Sequence, residues 1–592
     1  MTASALNVAN NHFDFIVVGA GASGLTLAAQ LARNSKHTVL VLENGPGLNN
    51  DPNILRPLAS VGLLGNNQYT YAYPTTKQPH TLDRVHVWHR GKGVGGSSAV
   101  NFSVYMPPPA DDIDDFEKLG NSGFNWSNFS RALRKVEGFV RPRDENLVKG
   151  NLKASKWTMG TEGPLKISYP PTVTILESKM QEALTYAGIT AASDPQGGDP
   201  HGHFITPNTY DPISHTRSYA TTAFYEPNKH LPNFTVLPAA QVQRVLFSSS
   251  SNGGISASGV EFVTDGTKYT VHAAKEVIIS CGALASPQLL ELSGIGNKKI
   301  LDNLGVPVVI DLPAVGENLQ EHGMVRLSAE LKPHVQAETF DALLDPVQAA
   351  KHIELHATGT GLFTQGIIGF SLLTLDDISK QLRMKMRESI LKKWDTYSPS
   401  LQHQYKIQLD RLERSLEMEI ATYPGLNGSD VRPGKRHVSL TTLLMHPFSR
   451  GTVHSISNDI NDPPECDPRL FDEEIDLELM VETLSFAKKL FTSPPMKDTL
   501  AEEIIPGPNV QTEEQLRDYV RKMFITSWHT SSSCSMLPRD KGGVVDPNFK
   551  VYGTTNLRVV DMSVIPLQVA AHTQATAYGI GAYASEVILG TV

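Results

Sequence analysis

Residues 13–45 read FDFIVVGAGASGLTLAAQLARNSKHTVLVLENG. Phe15 to Val18 form a short apolar run, the pattern of a strand covered on both faces in a parallel sheet. Gly19, Gly21 and Gly24 follow in G-x-G-x-x-G spacing. Leu27, Ala28, Leu31 and Ala32 then recur at helical intervals, and Thr38 to Leu42 reads as a second buried strand closed by Glu43. Gly19 permits the tight turn, Gly21 lets the backbone approach a pyrophosphate, and Gly24 lets the helix pack closely on the strand. The helix N-terminus offers free N–H groups and a positive dipole end to phosphates. Glu43, about 20 residues on, is placed to accept hydrogen bonds from a ribose hydroxyl. The stretch predicts a Rossmann-like dinucleotide site and leaves FAD and NAD equally open.

The chain has 592 residues, too many for one ordinary core, so two or more domains are expected. Hydrophobic residues make up 40% and charged residues 19%, the balance of a soluble globular protein. With a formal net charge of −9 and no basic block, nucleic acid is not an expected partner. No apolar run approaches the ~20 residues of a membrane helix. Cys281, Cys466 and Cys534 are too few for a disulfide scaffold and leave room for one bridge at most. The N-terminal segment lacks a basic and an apolar region of signal-peptide type, which favours the cytoplasm, or secretion if a leader was trimmed. Asn125, Asn128, Asn233 and Asn427 head N-x-S/T sequons, which arise often by chance.

A second glycine concentration, WHRGKGVGGSSAVNFSVY, runs from Trp88 to Tyr105 and suits a backbone pressed against a flat ligand. CGALASPQLLELSGIG (Cys281 to Gly296) and LPAVGENLQEH (Leu312 to His322) follow later. Together these stretches resemble the glucose–methanol–choline (GMC) oxidoreductases. Arg90-Gly91-Lys92 through Gly95-Gly96-Ser97-Ser98 to Asn101 is similar to the family's first signature, and Gly282 to Gly296 to its second. DDFEKLGNSGFNW, PFSRGTV, GGVVDPNFKVYG and NLRVVDMSVIP also look like family segments, so the likeness runs from about Phe13 to Leu589.

The resemblance implies FAD. By position it puts Ala22, Ser23, Glu43 and Asn44 along the ADP half, and the backbone of Val242 at the adenine. It puts Trp88, Val94, Gly95, Ser98, Asn101 and Phe102 near the isoalloxazine or ribityl chain. Asp561 and the backbone around His572, Thr573 and Gln574 are to close over the pyrophosphate and pyrimidine. Some relatives attach FAD through a histidine in the first signature; the matching Ala99-Val100-Asn101-Phe102 has none, so noncovalent FAD is expected.

His529, in ITSWHTSSSCSM, and His572, in VAAHTQATAY, admit three readings: hydrogen-bonded core residues, metal ligands, or a catalytic pair. Zinc needs further ligands, and Cys534 nearby has no Cys-x-x-Cys or His-x-x-x-His around it, so no metal is expected. His86 and His89 are expected to be structural, Cys281 a small buried apolar residue, and no G-x-S-x-G supports a hydrolase. Alcohol oxidation removes a proton from oxygen and a hydride from carbon, so it needs a base near working pH and a second group to hold the developing alkoxide. The resemblance assigns His529 as general base and His572 as its hydrogen-bonding partner. Where the family often shows His-Pro and then Gly-Thr-Cys, this chain has His529-Thr530 and Ser532-Ser533-Cys534, which alters the pocket floor.

Phe524 and Trp528, with Phe102 and Tyr73 opposite and Phe363 as a wall, would make an aromatic mouth, favouring an aryl or other apolar primary alcohol over a sugar. Oxygen and a quinone remain open as acceptors. A sugar dehydrogenase and a non-redox lyase or cyclase on the same fold are the rivals. A monomer or homodimer is expected.

The expected fold is α/β: a Rossmann-like FAD-binding domain (13–165, 217–325 and 526–592) interleaved with an α+β substrate domain built on an antiparallel sheet (166–216 and 326–525). Within the latter, residues 376–394 and 405–421 have helical charge patterning and are expected as two solvated helices. Residues 436–456 alternate and are expected as strands of the sheet.

Overall fold

A computed structural model describes residues 5–34, 36–48, 50–142, 158–171, 173–249, 254–426, 432 and 434–591; Asn427 and its sequon lie outside them. The opening stretch folds as its periodicities dictate. His12–Val18 and Val39–Leu42 are parallel strands joined by the helix Ala22–Asn34. Gly24 needs its missing side chain: a Cβ there would lie 2.2 Å from the Gly19 carbonyl oxygen, so helix and turn meet backbone to backbone.

The sheet is completed from distant parts of the chain. Phe234–Leu237 adds in parallel beside Val39–Leu42, and Thr267–Ile279 beside the first strand, with Val18 paired to Ile279. Ile255–Thr264 and Gln241–Ser249 continue the sheet antiparallel. Leu557–Val559 docks in parallel on Thr267–Ile279, and the helix Gln574–Leu589 packs on Ala22–Asn34, so both chain ends build one layer.

The second sheet is antiparallel throughout, in the order Gly369–Thr374, Leu416–Tyr423, His437–Leu444, Gly323–Leu331, Leu500–Ile505, with Ile525–Thr526 paired to the start of Gly323–Leu331. Met418, Ile420, Val438 and Leu440 pack in one core with Leu479, Met480 and Leu484 of the helix Glu474–Thr492. Phe370, Leu372, Ala421 and Leu443 pack instead in the core of the nucleotide-binding sheet. The sheet is therefore a partition between a helix and the other domain.

Two expectations change here. Residues 376–394 do contain a helix, Lys380–Lys392, but 405–421 is not one helix: Pro399–Asp410 ends it, and Leu416–Tyr423 is a buried strand. Leu416, Met418 and Ile420 alternate with Glu417 and Glu419 at period two, and these acids are buried against histidines rather than solvated. Within 436–456, His437–Leu444 joins the sheet and is buried throughout, whereas Thr452–His454 pairs with Glu465–Asp467 in a separate ribbon. The three cysteines are free thiols. Among the described residues no helix is long and apolar enough to cross a membrane.

Candidate active site

A cleft of about 350 Å³ runs along the C-terminal edge of the parallel strands to the partition sheet. Its floor is made by the two glycine-rich turns, which abut so tightly that a Cβ on Gly96 would lie 2.8 Å from the Gly21 Cα. A Cβ on Gly21 itself would meet no protein atom within 4 Å. Gly21 lines the cleft, so what its missing side chain leaves free is cleft space.

Polar groups are fixed along this floor. Glu43 accepts from the Ala20 and Gly45 amides at 2.9 and 2.7 Å, and burial pushes its carboxyl up to about 7. Asp561 accepts from Ser286 Oγ at 2.6 Å and from the Gly282 amide at 2.9 Å. Asn101 receives Arg217 Nη1 at 2.8 Å and donates to Gln574 Oε1, and Gln574 donates to Thr209 at 3.0 Å. Arg217 is fully buried with no carboxylate among its hydrogen-bond acceptors; burial lowers it to about 10.

At the partition end the two histidines come together. The His529 and His572 rings stand 4.9 Å apart, edge to face at 78°. His572 Nε2 bonds Glu419 Oε1 at 3.1 Å, and Phe370 packs edge-on against the His572 ring at 5.1 Å. His529 Nδ1 lies 2.9 Å from His322 Nδ1. The His529 amide donates to Glu321 Oε1 at 2.8 Å, and Gln568 Nε2 donates to the His529 carbonyl at 2.7 Å. Arg90 holds the neighbouring Trp528 carbonyl and the Thr530 hydroxyl. Trp528 itself has φ +62°, a left-handed conformation costly for a bulky residue, stabilised by these bonds and by its indole N–H on the Val87 carbonyl at 3.2 Å.

Burial holds His529 well below the ordinary imidazole range, and His572, His322 and Arg90 push the same way. A neutral imidazole facing the cleft is a base with its lone pair available. Burial likewise drives His322 down to about 3 and raises Glu321 to about 7.

Of the residues expected at the site, Gly19, Gly21, Ala22, Ser23, Glu43, Asn44, Ser98, Asn101, Phe102, Val242, Asp561, Thr573, Gln574, Tyr73, Trp528, His529 and His572 all line the cleft. Gly24, Val94 and Gly95 do not line it. Trp88 does not line the cleft; it is fully buried in a small core with Leu284, Leu319, Val453 and Cys466, against which the cleft residues Tyr73 and Trp528 pack. Phe524 packs on Phe471 and His86, and Phe363 packs beside Phe340 and Leu362, so neither is a wall of the cleft. His86 bonds Thr81 at 2.9 Å, as a structural residue does, but His89 lines the cleft. Glu419, His322, Glu321 and Phe370 were not singled out. Glu321 and His322 lay in the quoted LPAVGENLQEH stretch, and the period-two placement of Glu417 and Glu419 was the available signal for the third.

Two models of the GMC oxidoreductase family match the chain, over residues 13–324 and 447–581. A GMC oxidoreductase family protein, Mala s 12 of Malassezia sympodialis, is 33% identical over 98% of this chain and 92% of its own length. Among solved structures, an FAD-dependent oxidoreductase from Chaetomium thermophilum superposes with a TM-score of 0.90 at 29% identity, covering 98% of this chain and 99% of that one. A fungal aryl-alcohol oxidase does so with a TM-score of 0.86 at 27% identity over the same shares.

Proposed function

This chain belongs to the GMC oxidoreductase family and is an FAD-dependent oxidoreductase acting on CH–OH groups, and from that premise we propose that it converts a primary, aryl or otherwise apolar alcohol to the aldehyde. His529 is the general base and His572 the hydrogen-bonding partner. The observation that carries this is the pair of imidazoles 4.9 Å apart, both lining the glycine-floored cleft.

The cleft residues fit the cofactor: Gly21 gives close backbone approach, Glu43 sits where a ribose is to bind, and Asn101 and Gln574 are already fixed by one another. When bound, FAD supplies at N5 the acceptor for the hydride that leaves the carbinol carbon. His529, held neutral, takes the hydroxyl proton, and His572, tethered through Glu419 at Nε2, turns its other ring nitrogen to the substrate oxygen as the hydrogen-bonding partner. The aldehyde would then leave, and oxygen or a quinone would be the acceptor that regenerates the bound cofactor. Tyr73, Phe102 and Trp528 give the cleft an aromatic lining near this end, which favours an apolar carbinol over a sugar. The aryl-alcohol oxidase likeness supports the same class. Cofactor attachment is noncovalent in this reading, because residues 99–102 carry no histidine.

The test is anaerobic flavin bleaching by a panel of aryl, aliphatic and sugar alcohols. Bleaching by aryl alcohols is expected. No bleaching by any alcohol would favour non-redox chemistry, and faster bleaching by sugars would overturn the substrate class.

A further inference from the structure

We propose that His322 is a positioning residue that fixes the tautomer of His529, accepting the His529 Nδ1 proton and so leaving the Nε2 lone pair for the substrate hydroxyl. The inference rests on His529 acting as the base.

His529 and His322 meet Nδ1 to Nδ1 at 2.9 Å, edge to face at 83°. Two neutral imidazoles can share one proton at that contact, so one ring must present N–H and the other a lone pair. The choice decides the chemistry. If His322 donates, His529 carries its own proton on Nε2 and cannot take another there. If His529 donates, Nε2 is unprotonated, and it is the ring nitrogen left over on a side chain that lines the cleft.

The surroundings favour the second arrangement. His322 is wholly buried, and burial keeps it neutral. The Met445 backbone favours a proton on the His322 ring, and with Nδ1 turned to His529 that proton belongs on Nε2. Nε2 has no hydrogen-bond partner among the described residues, so the 2.9 Å contact to His529 is the one hydrogen bond of this ring. His446 and His572 also face His322 and disfavour a second proton; Asp112, paired to His446 at 3.0 Å, favours one. On the other ring, His572 and Arg90 oppose a charge, while Glu321 is engaged with the His529 backbone. His322 follows Glu321 in sequence and leads into the partition strand Gly323–Leu331, so a rigid element sets its place.

Three variants decide the matter. His322→Asn keeps an amide oxygen near the Nδ1 position, His322→Gln moves it toward the Nε2 position, and His322→Leu removes it. Flavin reduction in Asn is expected within about threefold of wild type, whereas Gln and Leu lose on the order of 10²-fold, with a displaced acid limb in the pH profile. FAD content and melting temperature identify any variant that fails to fold, and the Asn–Gln contrast survives loss of the Leu variant. Independently of turnover, ¹⁵N-histidine NMR of the FAD-free and FAD-loaded protein should show His529 protonated on Nδ1. A proton on Nε2 of His529, or wild-type rates and pH profile in Gln, would overturn the proposal. If no alcohol reduces even the wild-type flavin, the proposed reaction fails, and the NMR tautomer still decides the positioning claim.

Discussion

The Glu419 carboxyl, fully buried in the partition sheet, receives His572 Nε2 at 3.1 Å and so anchors one half of the histidine pair to a strand of the other domain. Its second oxygen has no partner among the described residues. A lone buried acceptor of this kind orients the ring it holds. Glu419→Leu frees the His572 ring and is expected to slow flavin reduction on the order of 10²-fold. FAD content should stay unchanged, because Glu419 does not line the cleft. Stopped-flow reduction alongside the flavin-to-protein absorbance ratio separates the two effects.

His529→Ala removes the base itself. Reduction should fall by well over the ~10²-fold typical of one acid–base group. Since burial first, and the neighbouring basic groups after it, hold His529 well below the ordinary imidazole range, the acid limb of the wild-type kcat/KM profile should lie below pH 6.5. A limb at or above 6.5 would place the base elsewhere.

The nucleotide end was legible because its signals are local. A G-x-G-x-x-G turn between two apolar runs needs no knowledge of the rest of the chain, and the strands, helix and Glu43 stand where the spacing put them. The histidine surroundings were not legible, because their partners arrive from strands over a hundred residues away. Glu419 sat inside a segment whose charges scan at helical period, and the competing period of two is decided for the strand by tertiary burial. Phe363 was expected as a wall; Phe370, seven residues on, packs against His572 instead, since the 362–364 turn carries Phe363 toward Phe340. Trp88, in the ribbon formed with Thr70–Pro74, is buried in a core behind the cleft residues Tyr73 and Trp528, while Arg90 and His89 line the cleft.

Gly21 and Gly24 separate binding from folding. Gly21→Val projects into free cleft space, so the FAD-free protein should melt within about 0.5 kcal/mol of wild type while FAD affinity drops at least roughly tenfold. Gly24→Val drives a side chain onto the Gly19 carbonyl at 2.2 Å and should destabilise the protein by more than about 2 kcal/mol. Calorimetry of FAD-free protein and FAD titration check both; equal destabilisation by the two would refute the assignment of Gly21 to the cleft.

Glu321 gives a pH-dependent stability of known sign. Burial raises its carboxyl from about 4.5 to about 7, with Arg90 the foremost of the groups acting against it, so between those values the folded protein binds a proton that the unfolded chain has lost. Stability from this group is therefore full below pH 4.5 and is lost as pH rises toward 7. His322, lowered to about 3, acts in the opposite sense: the unfolded chain takes a proton below 6.5 that the folded protein refuses, so stability falls as pH drops through that range. Glu321→Gln retains an oxygen for the His529 amide and removes only the first effect. Relative to wild type it should gain on the order of 1 to 3 kcal/mol between pH 4.5 and pH 7.5. Denaturant melts of both proteins at the two pH values measure it, and a difference independent of pH would show that Glu321 ionises in place as freely as in the unfolded chain.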